Sequence, residues 1–479
     1  MGKSIKVNAF YNVLRQCCTV LFPLITYPYV SRVLGSAGLG KYSFADSIIQ
    51  YFLILAGLGI ATYGVREGSI IKDDKPKFER FVAELFTISA IAMVVSCLLL
   101  ALCLLTVPRL REDRNIILIL SLNIICALLG RDWLNTVFED FKYLSVRYMI
   151  LHLISLVLIF CFIKSPDDVT GYAWICLFAA SGGYLANIFY TKRLVPYRLA
   201  SPNFKAHLKP ILLLFCSTVA INIYIHSDVT ILGFLKSNED VGCYSVASKV
   251  YITVKGVLNA VIVVAIPRLS NYLGNGKTTE YNQLLDKLRV SIYTIMIPSI
   301  VGLFILSEDI IRVVGGAEYL SGVNALRILC FALFFAVFGC FYAQGILVPG
   351  KREKVFTIAT IISALVNIVM NLFLIPWLGI DGAAYTTLLA EMIILTIAWV
   401  NTKDMGLRFN NKPILAIGLG CAVIVLICLV VRRLHLPVLE ELAVSMLLSV
   451  AVYAFVLYLF RNELVMDLVE KGRRMIRRN

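Results

Sequence analysis

Arg32-Val33-Leu34-Gly35, followed by Gly40-Lys41-Tyr42-Ser43-Phe44-Ala45, has a counterpart two hundred residues on. There the chain reads Thr230-Ile231-Leu232-Gly233, followed by Gly242-Cys243-Tyr244-Ser245-Val246-Ala247. Each copy is the end of one apolar helix, a turn, and Gly-x-Tyr-Ser-x-Ala opening the next helix. The second copy has four extra loop residues. Such self-similarity is the mark of an internally duplicated fold.

The rest of the chain says what kind of fold is duplicated. Of 479 residues, 59% are hydrophobic and 16% charged, where a soluble domain has about 45–50% and about 25%. A bilayer span takes about 20 apolar residues, so the apolar stock suits roughly fourteen. This excludes a soluble enzyme, a disordered chain and a large extramembrane domain. Hydropathy places spans near 8–34, 42–65, 81–106, 116–134, 148–163, 171–191, 210–235 and 242–267. The second half adds 290–306, 323–348, 355–376, 382–400, 413–431 and 441–460. The repeats lie six helices apart, and an even offset preserves orientation. The expected architecture is therefore an all-α polytopic membrane protein with two six-helix lobes, 1–205 and 206–405, related by a pseudo-two-fold axis normal to the membrane. Two appended helices and a basic tail occupy 406–479.

Charge supports this topology. The net charge is +15, from 45 Lys and Arg against 30 Asp and Glu. With fourteen spans, 30 of the basic residues fall on the side holding the N-terminus, 9 on the opposite side and 6 within spans. The positive-inside rule then puts both termini in the cytoplasm. Charges in short loops point to anionic lipid headgroups, not to nucleic acid. None of the thirteen cysteines is spaced C-x-x-C, so free thiols among helices are expected, without a metal site. The N-terminus has no signal-peptide pattern and lacks the myristoylation residue at Lys6. Gly274-Asn275-Gly276-Lys277-Thr278 lacks the leading glycine of a phosphate loop, because position 271 is Asn271. No catalytic residue is expected, and the protein is not expected to be an enzyme.

Polar residues inside a span normally face protein or a watery cavity. The first helix carries Asn8, Asn12, Arg15, Thr19, Thr26 and Tyr29 along one face; the second carries Ser43, Asp46, Ser47 and Gln50. The seventh offers Ser217, Tyr224 and Asp228, and the eighth Ser245, Ser248, Lys249, Lys255 and Asn259. Four stripes in the four helices marked by the repeat suggest one polar cavity between lobes. Its mid-span charges, Arg15, Lys249 and Lys255 against Asp46 and Asp228, suit an anionic ligand. Arg32 sits at the outer end of helix one, where snorkelling to the interface is the simpler role. Glu391 is expected to bond Asn367 or Asn371, and Arg131 and Asp132 to lie at the membrane interface.

The sequence resembles the Wzx-type oligosaccharide flippases of the multidrug/oligosaccharidyl-lipid/polysaccharide exporter superfamily. The resemblance is carried by Pro28 through Gly35, Gly40 through Tyr51, Phe138-Glu139-Asp140-Phe141-Lys142-Tyr143, and Asp228 through Gly233. It continues through Val241 to Tyr244, Ile266 to Ser270, Gln344 to Leu347, Asn367, Asn371, Ile375-Pro376, Gly379 and Gly382 to Ala384, spanning about 5–400. It implies two bundles facing a cavity lined by helices one, two, seven and eight. It also implies a substrate: a polyprenyl-diphosphate-linked oligosaccharide repeat unit, carried from the cytoplasmic to the outer face of a bacterial inner membrane for O-antigen, capsule or exopolysaccharide synthesis. Related flippases hold the diphosphate with cavity cations, a role that the resemblance carries to Arg15, Lys249 and Lys255. Partners would include anionic lipids and the polysaccharide polymerase and chain-length machinery. No cofactor is implied, and a coupling H+ or Na+ stays open. The alternative within the superfamily is a cation-coupled multidrug antiporter; an intramembrane glycan polymerase is more remote, for want of a large outer loop.

Overall fold

The computed structural model describes residues 5–405 and 414–462, with 465, 466 and 470 beyond them; the side chains of 5–9, 12, 13, 217 and 414 fall outside the described set. The described residues form helices and connecting turns, without strands. The first compact unit, Met1–Gly242, holds α1 (Ile5–Gly57), α2 (Ile60–Ile71), α3 (Lys75–Thr106), α4 (Pro108–Glu112) and α5 (Arg114–Gly130). It continues with α6 (Asp132–Val137), α7 (Phe141–Phe162), α8 (Val169–Thr191) and α9 (Phe204–Leu235). The second unit, Cys243–Asn479, begins within the first turns of α10 (Asn238–Gly274). It contains α11 (Thr278–Ile305), α12 (Ser307–Val314), α13 (Val323–Cys340), α14 (Glu353–Leu378), α15 (Ile380–Val400), α16 (Ile414–Arg432) and α17 (Val438–Leu459).

Among the described residues, twelve helices are long and apolar enough to cross a membrane. The longest of these stretches, Leu14–Ile71, is bent into two arms at Gly35, and the seventeen-residue Arg114–Gly130 is apolar but shorter. The set is compatible with fourteen passes. Leu98, Leu105, Val264 and Trp377 are among many large apolar side chains left exposed, as hydrocarbon-facing residues are.

Three departures from the sequence expectation have local causes. The two shortest expected spans, 148–163 and 290–306, belong to longer helices, α7 and α11. Ahead of the expected spans these helices carry charges that depress hydropathy without breaking the helix: Arg147 pairs with Asp132 at 2.6 Å and Arg289 with Asp286 at 2.9 Å. The expected 116–134 span instead stops at Gly130, because Arg131 adopts a left-handed conformation (φ 46°) and α6 starts in a new direction. The turn expected over Gly35–Gly40 is a single-residue break at Gly35 (φ 68°, ψ 175°), with helix resuming at once; only glycine takes that geometry without strain.

Helix starts elsewhere follow capping chemistry. Asp74 Oδ1 accepts from Lys77 N at 3.2 Å with Pro76 in the first turn of α3, and Asn203 caps α9. Ser237 and Asp240 cap α10 reciprocally, which accounts for the longer loop of the second repeat. α9 packs on α1 and α2 within the first unit. α16 and α17 pack on α11 through Ile417, Cys421, Ile424, Tyr453 and Leu457, with the Tyr453 hydroxyl donating to the Thr294 carbonyl at 2.7 Å. All thirteen cysteines are free thiols.

Candidate functional site

The repeat copies meet each other inside the first unit. A Cβ on Gly40 would overlap the Asn238 carbonyl, and one on Gly242 would overlap the Ser36 carbonyl. Gly40 and Gly242 hold the same place in the two copies, and Ser36 and Asn238 each stand four residues before. The approach is therefore reciprocal, as across a local two-fold axis. Gly233 lies against the Phe44 ring with no room for a side chain, and Phe44 meets Phe234 edge to face at 5.3 Å.

Arg109 of α4 fastens this junction. Its Nε donates to the Gly233 carbonyl at 2.8 Å and its Nη2 to Asn238 Oδ1 at 2.5 Å. Nη1 pairs with Glu112 and Asp113 at 2.7 and 3.1 Å, and the guanidinium lies 4.7 Å over the Phe44 ring. One side chain thus ties the second arm of α1, the end of α9 and the start of α10. Burial raises the Asp113 carboxyl above its ordinary value, a shift that the Arg109 charge opposes.

The polar stripe beside the junction is buried in part. Thr230 Oγ1 donates to Ser47 Oγ at 2.9 Å and lies 3.3 Å from the Tyr51 hydroxyl, and Gln50 Nε2 donates to Asp46 Oδ1 at 3.2 Å. Asp46 and Gln50 are half-buried, while Asp228, near Tyr51, is buried. Arg15 is half-buried beside Tyr148 of α7, and Arg32 is exposed. The side chains of Asn8, Asn12 and Ser217 lie outside the described residues.

Lys249, Lys255 and Asn259 belong to the second unit, all half-buried. Lys255 forms an ion pair with Glu391, whose carboxylate also accepts from the Tyr251 hydroxyl at 2.8 Å. Glu391 is only 2% exposed, so the lysine serves first as its counter-charge. Where an asparagine was expected, the partners seen at Glu391 are thus a cation and a tyrosine. Asn371 Nδ2 donates to Asn367 Oδ1 at 3.1 Å and Asn371 Oδ1 accepts from Thr386 at 2.6 Å. Asn259 Oδ1 is buried without a hydrogen-bond partner.

Two clusters escaped sequence reasoning. Tyr63, His207 and Glu84 form a buried chain: the Tyr63 hydroxyl lies 2.9 Å from His207 Nδ1, and Glu84 Oε2 lies 2.8 Å from His207 Nε2. Arg80 also donates to Glu84 at 2.9 Å. The chain joins α2, α3 and α9, and Glu84 and His207 stand 123 residues apart, so no local spacing announces it. The second cluster is centred on Arg131, which is buried. Among the described residues, no three His, Cys, Asp or Glu side chains are placed to hold a metal ion.

The profile of the polysaccharide biosynthesis protein family matches residues 5–273. The chain belongs to this family. The matched stretch contains both repeat copies. The profile of the lipid II flippase MurJ matches 184–453. A putative O-antigen transporter of Escherichia coli (strain K12) is 22% identical over 420 residues, 85% of this chain and 98% of the relative. The capsular polysaccharide biosynthesis protein CapF of Staphylococcus aureus is 24% identical over 82% of this chain and 97% of its own. A solved structure of lipid II flippase MurJ in an inward closed conformation superposes with TM-score 0.76 at 18% identity, covering 95% of this chain and 100% of that one. An inward-facing multidrug resistance MATE family transporter gives TM-score 0.60 at 13% identity, covering 85% and 95%. Both show a shared fold.

Proposed function

We propose that this member of the polysaccharide biosynthesis protein family is a flippase for lipid-linked oligosaccharides, in surface-polysaccharide synthesis. It is a transporter, not an enzyme. The observation that carries the reading is the duplicated helix pair: two polar-faced helix pairs whose ends pack reciprocally at Gly40 and Gly242. The full-length likeness to relatives described as O-antigen transporters supports it.

The physics requires such a carrier. A diphosphate and a glycan cannot cross hydrocarbon unaided, because each unpaired polar group costs several kcal/mol there. Polar stripes on helices one, two, seven and eight supply substitute partners. The proposed lobes, 1–205 and 206–405, rock to expose them on alternate sides. On the proposed topology both termini are cytoplasmic, in a bacterial inner membrane, and the Arg109 junction closes the outer ends of the repeat helices. Arg15 and Lys249 are the proposed diphosphate partners; Lys255 is a weaker one, since Glu391 already balances its charge. Asp46, Asp228, Arg32, Gln50 and Asn259, with Asn8 and Asn12 from the sequence pattern, are the further polar residues proposed for the same route. Anionic lipids and the polymerase and chain-length machinery are the proposed partners.

In cells deleted for the protein, complementation by Arg15→Ala or Lys249→Ala should restore less surface glycan than wild type at equal amounts of membrane protein. Full export by both variants would overturn the assignment of these cations.

A further inference from the structure

A cavity of about 210 Å³ lies inside the first unit, among α1, α2, α3, α5, α6 and α8. Phe86, Ala127, Trp133 and Tyr184 are among its largely apolar walls, and Arg131 and Asp132 are its charged residues. At about 30 Å³ per water, the space equals roughly seven waters, the size of a headgroup.

Arg131 is an expensive residue to keep there. It is 4% exposed, and among the described residues no carboxylate lies within ion-pair distance of it. Nη2 donates to the Val195 carbonyl at 3.1 Å, while Nε and Nη1 are buried without hydrogen-bond partners. The Tyr197 ring lies 3.4 Å from the guanidinium carbon and Phe86 5.5 Å away, a cation–π contact that compensates only in part. The neighbouring carboxylate does not serve it. Asp132 Oδ2 is paired with Arg147 at 2.6 Å and Oδ1 accepts from Asn187 at 2.9 Å.

Arg131 at the cavity wall and Arg147 behind Asp132 are thus matched by a single carboxylate. An arginine remains charged even when buried. The residue also holds a left-handed backbone conformation, φ 46°, which costs a non-glycine residue of order 1–3 kcal/mol. An unpaired buried cation, donors without acceptors and backbone strain are costs met together at one cavity wall. An anion in that cavity would offset the first two.

We propose that this cavity binds an oxyanion, a phosphate or a carboxylate, with Arg131 as its counter-charge. One negative charge balances the local excess. The apolar walls suit the first carbons of an attached tail, so a lipid headgroup and a free ion are the two sources to separate. The site lies within one unit, and the transport reading does not depend on it.

The test is thermal stability of the purified full-length protein in a non-ionic detergent, titrated separately with hexyl phosphate and with inorganic phosphate. Wild type should melt higher with saturable dependence on at least one of them. Response to hexyl phosphate alone identifies an amphiphile headgroup; equal response to both identifies a free oxyanion. Arg131→Gln should weaken the response at least tenfold, and Arg131→Lys less. Ala127→Leu, which fills the cavity and keeps the arginine, should weaken it similarly. This variant carries the test if Arg131→Gln fails to fold. Unchanged midpoints in Ala127→Leu and Arg131→Lys, or no response of wild type to either anion, would overturn the proposal.

Discussion

Replacing Gly242 by alanine probes the junction of the repeats with one methyl group. The added Cβ would overlap the Ser36 carbonyl oxygen, carbon and Cα. All three are backbone atoms, so no side chain can swing aside. Carbon and oxygen need about 3.5 Å, and the two helices must therefore withdraw by more than about 1 Å. Overpacking of this kind costs about 1–3 kcal/mol. Alanine recovers about 0.5–1 kcal/mol through helix propensity. With three backbone atoms in the way, the clash sits at the upper end of the overpacking range, about 2–3 kcal/mol. The net loss is about 1–2.5 kcal/mol, which moves an opening equilibrium roughly 5- to 70-fold. Amide hydrogen exchange, read by mass spectrometry on detergent-solubilised protein, should show faster exchange over 36–45 and 233–242 by about that factor. Gly256→Ala is the control. It lies on the same α10 with no atom within 4 Å of its would-be Cβ, and should leave both segments unchanged. Equal exchange in Gly242→Ala and wild type would refute the reciprocal packing.

Other predictions follow from neighbouring contacts. Arg109→Ala removes charge-assisted bonds to Gly233 and Asn238, each worth about 1.5–3 kcal/mol; exchange over the same two segments should accelerate at least tenfold, and an unchanged rate would remove Arg109 from the junction. Lys255→Met strands the buried Glu391 and should cost about 3–5 kcal/mol, while Lys255→Met with Glu391→Met should recover most of the melting temperature; equal melting of the single and double variants would contradict the pairing. Glu84→Ala leaves His207 Nε2 and Arg80 without their acceptor and should lower the melting temperature by several degrees more than Glu79→Ala, an exposed-pair control; equal effects would mean that the buried chain contributes little.

Much of the fold is legible in the sequence because membrane helices declare themselves by composition alone. The repeat at Gly40 and Gly242 was readable for a related reason: two backbones in contact exclude every side chain, so glycine is forced wherever the copies touch. Hydropathy did less well where charges sit inside helices. α7 and α11 begin earlier than expected because Arg147 and Arg289 are paired with Asp132 and Asp286, and pairing is invisible one residue at a time. The candidate site shows the same division. Polar stripes at helical spacing marked Asp46, Gln50 and Asp228, which the structure places in or beside the buried network of Ser47, Tyr51 and Thr230. Lys255 was readable as a mid-span cation, but its partner Glu391, 136 residues away, changes what the charge is for. Arg109 carries no signal of its own in the sequence, and nothing in the spacing around Arg131 announces its burial. What each touches depends on where α4 and α6 turn, and those turns are tertiary facts.

The central claim is that this chain carries lipid-linked oligosaccharide across a membrane. Its most direct measurement uses proteoliposomes holding the purified protein and polyprenyl-diphosphate oligosaccharide from its own source cells, initially shielded from an external glycan-cleaving enzyme by its place in the inner leaflet. The account predicts that the cleavable fraction rises well above that of protein-free vesicles, and rises more slowly with Arg15→Ala and Lys249→Ala together. A cleavable fraction equal to that of protein-free vesicles, with folded protein present, would contradict it.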